Sequence, residues 1–178
     1  MISAHSLRAY IETRDHRVMR RMHRWRAPRW IRVWMIAATR LGDGWLWYAL
    51  GITLVLAGGH KQLIAVESAG AAAACGILLY CAIKKVFRRQ RPCDVEPHCW
   101  ARILPPDQFS FPSGHSITAF SIAVALGQCY PIVEVPLLLV AASIALSRII
   151  LGMHYLSDVI VGAILGSGLG LLFFHVFH

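Results

Sequence analysis

Long apolar runs, separated by short polar or basic segments, constrain this chain more than any other feature. They cover residues 31–57, about 63–86, 112–129, 137–151 and 154–177. Most are close to the roughly 20 residues that an α-helix needs to cross a bilayer. The hydrophobic fraction of 57% and the mean hydropathy of +0.54 exceed those of soluble domains. The sequence therefore predicts an all-α fold, a multi-pass transmembrane helical bundle of about five to six spans.

The first apolar run has a polar interruption at residues 39–44. Arg40 and the triplet Gly42-Asp43-Gly44 fall in its middle. Two structures fit this pattern: one long helix kinked at the interruption, or an interfacial helix that turns there into a shorter span. Asp43 is interpreted as a helix cap or a partner of Arg40 in preference to a catalytic group.

Two further patterns concern helix packing and connection. Residues 130–136, which contain Pro131 and Pro136, predict a tight connection between the third and fourth spans. Glycines recur every four residues in the last run and predict a close-packing face; they are Gly162, Gly166 and Gly170.

The N-terminal segment, residues 1–32, is crowded with arginine, at positions 8, 14, 17, 20, 21, 24, 26, 29 and 32. Apolar residues recur among them at steps of three and four. This pattern predicts a basic amphipathic helix on an anionic membrane surface, with a disordered basic tail as the alternative. We accordingly divide the chain into this segment and a transmembrane domain, residues 33–178.

The net charge of +9 has two usual sources in such a chain. Basic residues flank the spans on the cytoplasmic side, or they form a surface that binds anionic lipid or phosphate. The basic residues lack the soluble framework of nucleic-acid-binding proteins, so no nucleic-acid partner is expected. The five cysteines do not form a disulfide scaffold, and only Cys93 and Cys99 lie in a polar loop where they could pair.

Polar clusters stand at four span ends, and counting spans places these ends on one membrane face. The second and fourth spans end there, and the third and fifth begin there. Three cations, two histidines, one carboxylate and a helix N-terminus together indicate a phosphate site. The residues that we assign to this site are Lys84, Arg91, Ser113, Gly114, His115, Arg148, His154 and Asp158.

Each of these clusters also has a purely structural explanation. A basic cluster at residues 84–91 is common at any cytoplasmic span end, and His115 could be an interfacial histidine. His154 and Asp158 are four residues apart, so they share one helix face, where they could hydrogen-bond as a catalytic pair or only cap the helix. The joint occurrence of all these clusters on one membrane face favours the catalytic interpretation.

The same residues resemble the three-part signature of the phosphatidic acid phosphatase type 2 superfamily. Its first part matches Lys84, six residues, then Arg91-Pro92, and its second matches residues 112–115, Pro-Ser-Gly-His. Its third part matches residues 147–158: Ser-Arg, five residues, His, three residues, Asp. The resemblance extends from about residue 40 to the C-terminus.

This resemblance implies a role for each matching residue. His154 would be the nucleophile that forms a phosphohistidine, Asp158 would orient it, and His115 would be the general acid and base. Phosphoryl oxygens would be held by Lys84, Arg91, Ser113, Gly114 and Arg148. Because basic side chains would neutralise the charge of the phosphoryl oxygens, we expect no metal and no other cofactor.

The expected activity is hydrolysis of a lipid phosphate, since a site at helix ends in a bilayer suits an amphiphilic substrate. A polyprenyl diphosphate, phosphatidylglycerol phosphate, phosphatidate and lipid A phosphate all fit. Alternatives are a lipid phosphotransferase using the same residues and a non-catalytic protein that binds anionic lipids. The oligomeric state is not indicated.

We expect the chain to lie in the cytoplasmic membrane, and the side that carries the site depends on residues 31–58. If this segment crosses once, the site faces the same side as the Arg-rich N-terminus, which the positive-inside rule places in the cytoplasm. If it crosses twice, the site is outside, as is usual for bacterial members of the family. The short length of the segment favours one crossing.

Overall fold

The computed structural model describes residues 4–25, 27–95 and 108–178, and within these ranges the regular elements are all helices. In chain order the helices are α1 (Ala4–Arg24), α2 (Arg29–Leu41), α3 (Trp45–Ala57), α4 (His60–Phe87), α5 (Pro92–Val95), α6 (Gly114–Cys129), α7 (Pro131–Ile150) and α8 (Leu156–Phe177). The all-α prediction is confirmed.

Three helical segments of the described chain are long and apolar enough to cross a membrane. They are His60–Val95, Pro131–Ile150 and Leu156–Phe177, and α3 is a shorter apolar helix. The multi-pass transmembrane architecture is therefore confirmed, while the number of five to six spans stays a prediction.

Helix α6 forms the centre of the bundle and packs against α4, α7 and α8. Twelve of its sixteen residues are buried and most are small or apolar, as is typical of a helix that is buried on every face. Ala119, Ala123 and Ala125 of α6 are fully buried in a core that also contains Ala65 of α4 and Ala141 of α7. The N-terminus of α6, where His115 lies, is thus held by three neighbouring helices.

The glycine stripe of α8 packs directly on α6, as the sequence predicts. A Cβ at Gly162 would lie 2.8 Å from the carbonyl oxygen of Ser113, and one at Gly170 would lie 2.7 Å from that of Ser121. Only glycine permits this approach, which brings the starts of α6 and α8 together.

The first apolar run is divided into two helices of 13 residues, α2 and α3. Residues 42–44 form the break, and Gly44 has a φ of +115°, which favours glycine. Helix α3 runs antiparallel to α4, because Tyr48 and Ile77 line one end of a shared groove while Val55 and Val66 line the other. Of the two sequence alternatives, the structure shows the turn into a shorter helix.

The predicted tight connection at residues 130–136 is wrong, because α7 already begins at Pro131. Proline is tolerated at the first position of a helix, where its missing N–H would have no helical acceptor. Pro136 lies inside the helix and deprives the carbonyl of Ile132 of its helical donor. Ile132 is 90% exposed, so this carbonyl lies at the open end of the helix.

Helix α1 confirms the helical prediction for the Arg-rich segment. It buries Asp15 and Met19 and packs against α7 and α8. Its placement on a membrane surface stays a prediction. So does the division of the chain at residue 32, a position that lies inside α2. Cys99 lies outside the described residues, so its pairing with Cys93 also remains a prediction.

Candidate active site

The predicted helix ends meet at a cleft of about 340 Å³. The start of α6, the end of α4 and the loop before α8 form most of it, and the α2–α3 turn closes one side. The cleft is lined by Gly42, Asp43, Gly44, Tyr48, Ile77, Tyr80, Lys84, Arg91, Gly114, His115, Thr118 and His154. Five of the eight predicted site residues therefore share one cavity.

His154 lies in the tight loop between α7 and α8. The backbone N–H groups of Met153 and His154 both donate to the carbonyl of Arg148, at 3.0 Å each. Gly152, with a φ of +69°, allows this reversal. The loop holds the imidazole at the cleft wall, where it is 2% exposed.

The tautomer of His154 follows from its contact with Arg91. A guanidinium nitrogen of Arg91, which can only donate, lies 3.3 Å from Nε2. Nε2 therefore presents its lone pair, and the ring proton is on Nδ1. An imidazole in this state has a nucleophilic nitrogen in the cleft.

Asp158 is fully buried in the first turn of α8. Its Oδ2 accepts a 2.9 Å hydrogen bond from the backbone N–H of Tyr155, and its Oδ1 accepts one of 2.6 Å from Arg89. Oδ2 lies 3.7 Å from Nδ1 of His154, beyond hydrogen-bond distance. Asp158 thus faces the ring proton, but His154 lies in the loop before α8, so the predicted placement of both residues on one helix face is wrong. Asp158 caps the helix without bonding the imidazole.

The surroundings of His154 keep its ring neutral. Burial lowers the pKa of His154 from 6.5 to about 3, and the charges of Arg91 and Arg148 add to this effect while Asp158 opposes it. At neutral pH the free protein therefore holds an unprotonated nucleophile without needing a base to remove a proton.

His115 pairs with a residue for which the sequence favoured another role. Its Nε2 lies 2.9 Å from Oδ1 of Asp43, at the break between α2 and α3. Asp43 is 41% exposed and lines the cleft beside His115. Each histidine of the cleft thus faces a carboxylate, although each carboxylate comes from a different part of the chain.

The three predicted cations are all buried around the two histidines. Arg91 is 1% exposed and donates to the carbonyl of Met153 at 2.8 Å. Lys84 lines the cleft with its Nζ 5.0 Å from the centre of the Tyr80 ring. Arg148 lies behind the cleft wall and donates to the hydroxyl of Thr39. No three His, Cys, Asp or Glu side chains come together as a metal site in the described parts of the chain.

Ser113 and Gly114 form the start of α6. Ser113 is fully buried, and its Oγ accepts hydrogen bonds from the N–H and the hydroxyl of Ser116, at 3.4 and 2.9 Å. Its hydroxyl therefore caps the helix behind the cleft wall. Gly114 lines the cleft, where an added Cβ would lie 3.0 Å from the Tyr80 ring. The helix N-terminus, which favours an anion, thus reaches the cleft at Gly114, beside the Tyr80 ring.

Sequence reasoning missed three charged residues at or behind the site: Asp15, Asp43 and Arg89. Asp43 carried a signal, because an acid between two glycines inside an apolar run is unusual. Asp15 is one of only two acids in the Arg-rich segment. Arg89 was hidden among the other basic residues of its cluster, and no spacing rule separates it from them.

Comparison with known proteins agrees with this geometry. A family profile described as the PAP2 superfamily matches residues 65–178, which include the whole described cleft except the α2–α3 turn and Tyr48. This chain belongs to the PAP2 superfamily. As a PAP2 protein it is an integral-membrane hydrolase of phosphate esters.

Three relatives of this PAP2 protein are informative. The decaprenylphosphoryl-5-phosphoribose phosphatase of Mycobacterium tuberculosis is 38% identical over 131 residues, covering 71% of this chain and 68% of the relative. The crystal structure of Aquifex aeolicus LpxE has a TM-score of 0.76 and 28% identity, and the match covers 89% of this chain and 93% of that one. The PAP2 type phosphatidylglycerolphosphate phosphatase of Bacillus subtilis has a TM-score of 0.73 at 24% identity. The match covers 94% of this chain and 86% of that one, and it supports the fold.

Proposed function

We propose that this PAP2 protein hydrolyses a phosphate ester of a membrane lipid through a phosphohistidine at His154. One observation carries the proposal: the Nε2 lone pair of His154 lies in a cleft with a second histidine and two buried cations. A neutral imidazole beside fixed positive charge is suited to attack a phosphate dianion, whose oxygens the cations neutralise.

In the first step the phosphate enters the cleft and displaces Arg91 from Nε2. Lys84, Arg91 and the N-terminus of α6 at Gly114 hold its non-bridging oxygens, while Arg148 adds positive charge from behind. Nε2 of His154 forms a bond to phosphorus as the bond from phosphorus to the lipid oxygen breaks. His115 gives a proton to that oxygen, so the lipid leaves as an alcohol.

In the second step water completes the reaction. His115, now neutral, takes a proton from water as the water oxygen bonds to phosphorus and the P–N bond breaks. Phosphate leaves, and His154 returns to its starting state. Through both steps Asp158 faces the Nδ1 proton and stabilises the charge that develops on the ring.

An apolar groove beside the cleft supports a lipid substrate. The groove, of about 550 Å³, lies between α3, α4 and α6 and is lined almost entirely by apolar residues. It shares four lining residues with the phosphate cleft: Gly44, Tyr48, Ile77 and Thr118. A hydrocarbon tail in this groove places a phosphate at the tail's polar end beside His154.

Among lipid phosphates, a polyprenyl-linked sugar phosphate is our first candidate. The M. tuberculosis relative, 38% identical over 131 residues, carries the name of a phosphatase for such a lipid. The apolar groove suits a prenyl tail as it suits an acyl tail, so the candidate is chosen on the relative and needs a direct test.

The test is a panel of lipid phosphates assayed with the purified protein in the presence of EDTA. The panel contains decaprenylphosphoryl-5-phosphoribose, a polyprenyl diphosphate, phosphatidylglycerol phosphate, phosphatidate and lipid A. We expect phosphate release that EDTA does not reduce, and no release by the His154→Ala variant. Strict dependence on magnesium, or full activity in that variant, contradicts the mechanism.

For localisation we propose the cytoplasmic membrane, with the site on its cytoplasmic side. Asp15 of α1 contacts Ser157 at the start of α8, so the Arg-rich N-terminus and the cleft lie at the same end of the bundle. The positive-inside rule then favours the cytoplasm for both.

A further inference from the structure

Asp158 is held by a residue that the family signature leaves unspecified. Asp158 is fully buried, and a buried charge is destabilising unless it is paired. Arg89 supplies the pairing: its Nη1 lies 2.6 Å from Oδ1 and 2.8 Å from the hydroxyl of Ser157. Because Oδ1 is fixed by Arg89, Oδ2 is left to face His154.

Arg89 is in turn fixed by α1. Its Nη2 lies 2.6 Å from Oδ2 of Asp15, a residue only 3% exposed. Oδ1 of Asp15 accepts from the backbone N–H of Ser157 at 3.0 Å, so this carboxylate ties α1 to the first turn of α8. The guanidinium also stacks over the Tyr155 ring, 4.1 Å from its centre. Arg89 is therefore held in one position by partners on two helices and a ring.

The charges in this cluster have a consequence for catalysis. If Arg89 paired with Asp158 alone, the pair would be neutral and would hold an imidazolium weakly. Since Arg89 is shared with Asp15, the three groups together keep one negative charge beside His154. That charge opposes the positive charge that the ring gains when Nε2 bonds to phosphorus.

We propose that Arg89 and Asp15 are positioning residues for the nucleophile, so that α1 completes the active site. The inference rests on the proposed function of His154. Neither residue lines the phosphate cleft, so both act through Asp158 and not on the substrate. Met22 of α1 supports the same arrangement, since it packs against a cluster that includes Leu151 and Met153 of the nucleophile loop.

Steady-state kinetics of two variants, Asp15→Asn and Arg89→Lys, test this proposal. We expect kcat to fall on the order of tenfold for Asp15→Asn and up to roughly 100-fold for Arg89→Lys, because small misplacements of a reacting group are costly. KM should change less than twofold, since Lys84, Arg91 and Gly114 remain in place. Glu12→Gln is the matched control, as it removes one negative charge from an exposed position of α1 and should leave kcat unchanged.

A double-mutant cycle separates positioning from general loss of stability. If Asp15 acts through Arg89, the double variant should be no slower than Arg89→Lys alone. Additive losses, or equal kcat for Asp15→Asn and Glu12→Gln, overturn the proposal. Melting temperatures in detergent identify a variant that fails to fold, and in that case Asp15→Glu, which keeps the charge, replaces Asp15→Asn and should lower kcat less than Arg89→Lys does.

A second measurement does not depend on the lipid substrate. Diethyl pyrocarbonate modifies neutral imidazoles, and mass spectrometry reads the rate at His154. We expect this rate to fall several-fold in Arg89→Lys and to be unchanged in Glu12→Gln. If the unaltered protein releases no phosphate from any lipid of the panel, the proposed function fails, while this rate still decides the positioning role. Equal rates in Arg89→Lys and the unaltered protein contradict that role.

Discussion

The protonation of His154 links its chemistry to the stability of the fold. The folded protein keeps the ring neutral down to about pH 3, whereas the unfolded chain takes up a proton below its ordinary pKa of 6.5. The unfolded state therefore binds more protons within this window, and stability falls as the pH falls through it. At pH 5 the loss is about 2 kcal/mol relative to neutral pH.

This predicts a measurable difference between two histidine variants. Between pH 7 and pH 5 the melting temperature of the unaltered protein should fall several degrees more than that of His154→Gln, which has no proton to gain. His175→Gln removes an exposed histidine from the far end of α8 and should behave like the unaltered protein. Parallel curves for all three proteins show that His154 titrates normally.

A second prediction at the residue scale concerns Asp43 and proton transfer by His115. Their 2.9 Å contact orients the imidazole and stabilises its protonated form. Asp43→Asn should therefore lower kcat on lipid phosphates by about 10- to 100-fold, part of what a general acid contributes.

The leaving group distinguishes this role from a structural one. The nitrophenolate of a nitrophenyl phosphate leaves without a proton. Asp43→Asn should therefore cut the rate of phosphohistidine formation from this ester, in mixed micelles, far less than the rate from a lipid phosphate. His115→Ala should show the same contrast. Equal losses on both substrates mean that Asp43 only shapes the cleft.

The family signature locates five of the twelve residues that line the cleft, because its residues stand at helix ends that the topology brings together. Lys84, Arg91, Gly114, His115 and His154 all line it. The residues that pair with His115 and with Asp158 follow a different rule. Asp43 and Arg89 reach the site across 72 and 69 residues of sequence, and only tertiary packing decides such pairs.

At the scale of elements, the contact between α6 and α8 predicts which glycines are essential. A Cβ at Gly166 would collide with the backbone of Ile117, whereas one at Gly168, on the same helix, would meet nothing within 4 Å. Gly166→Ala should destabilise the protein by about 1–3 kcal/mol, as overpacking of a core does. It should also reduce activity, since the starts of both helices carry site residues.

Gly168→Ala is the matched control. Alanine is the better helix former, so this variant should be as stable as the unaltered protein or slightly more stable. Melting temperature in detergent and phosphate release measure the two effects. Equal stability of the two variants contradicts the packing argument.

Helix boundaries show where sequence patterns stop being informative. Apolar length and composition place the cores of α4, α6, α7 and α8 correctly. The prolines at the start of α7 gave a wrong prediction, because Pro131 and Pro136 are compatible both with a loop and with the first turns of a helix. The break at residues 42–44 is visible in the sequence, but its two glycines fit a kink and a turn alike.

At the scale of the whole molecule, the packing of α1, α3 and α4 determines which parts of the chain lie at the same end of the bundle. Helix α1 and the phosphate cleft lie at one end of the bundle, since Asp15 contacts both Arg89 and Ser157. Helix α3 leads from the cleft to the other end, and α4 returns over 28 residues, about 42 Å of helix. We therefore expect His60, at the start of α4, to lie on the opposite side of the membrane from α1.

This arrangement predicts the labelling pattern of two single-cysteine variants, made after the five native cysteines are replaced by serine. Arg17→Cys, exposed on α1, should react with a membrane-impermeant maleimide in inverted membrane vesicles and not in intact spheroplasts. His60→Cys should show the reverse. The opposite pattern for both places the cleft on the outer face, where the Arg-rich helix violates the positive-inside rule. Labelling of both from one side contradicts the single crossing between α1 and α4.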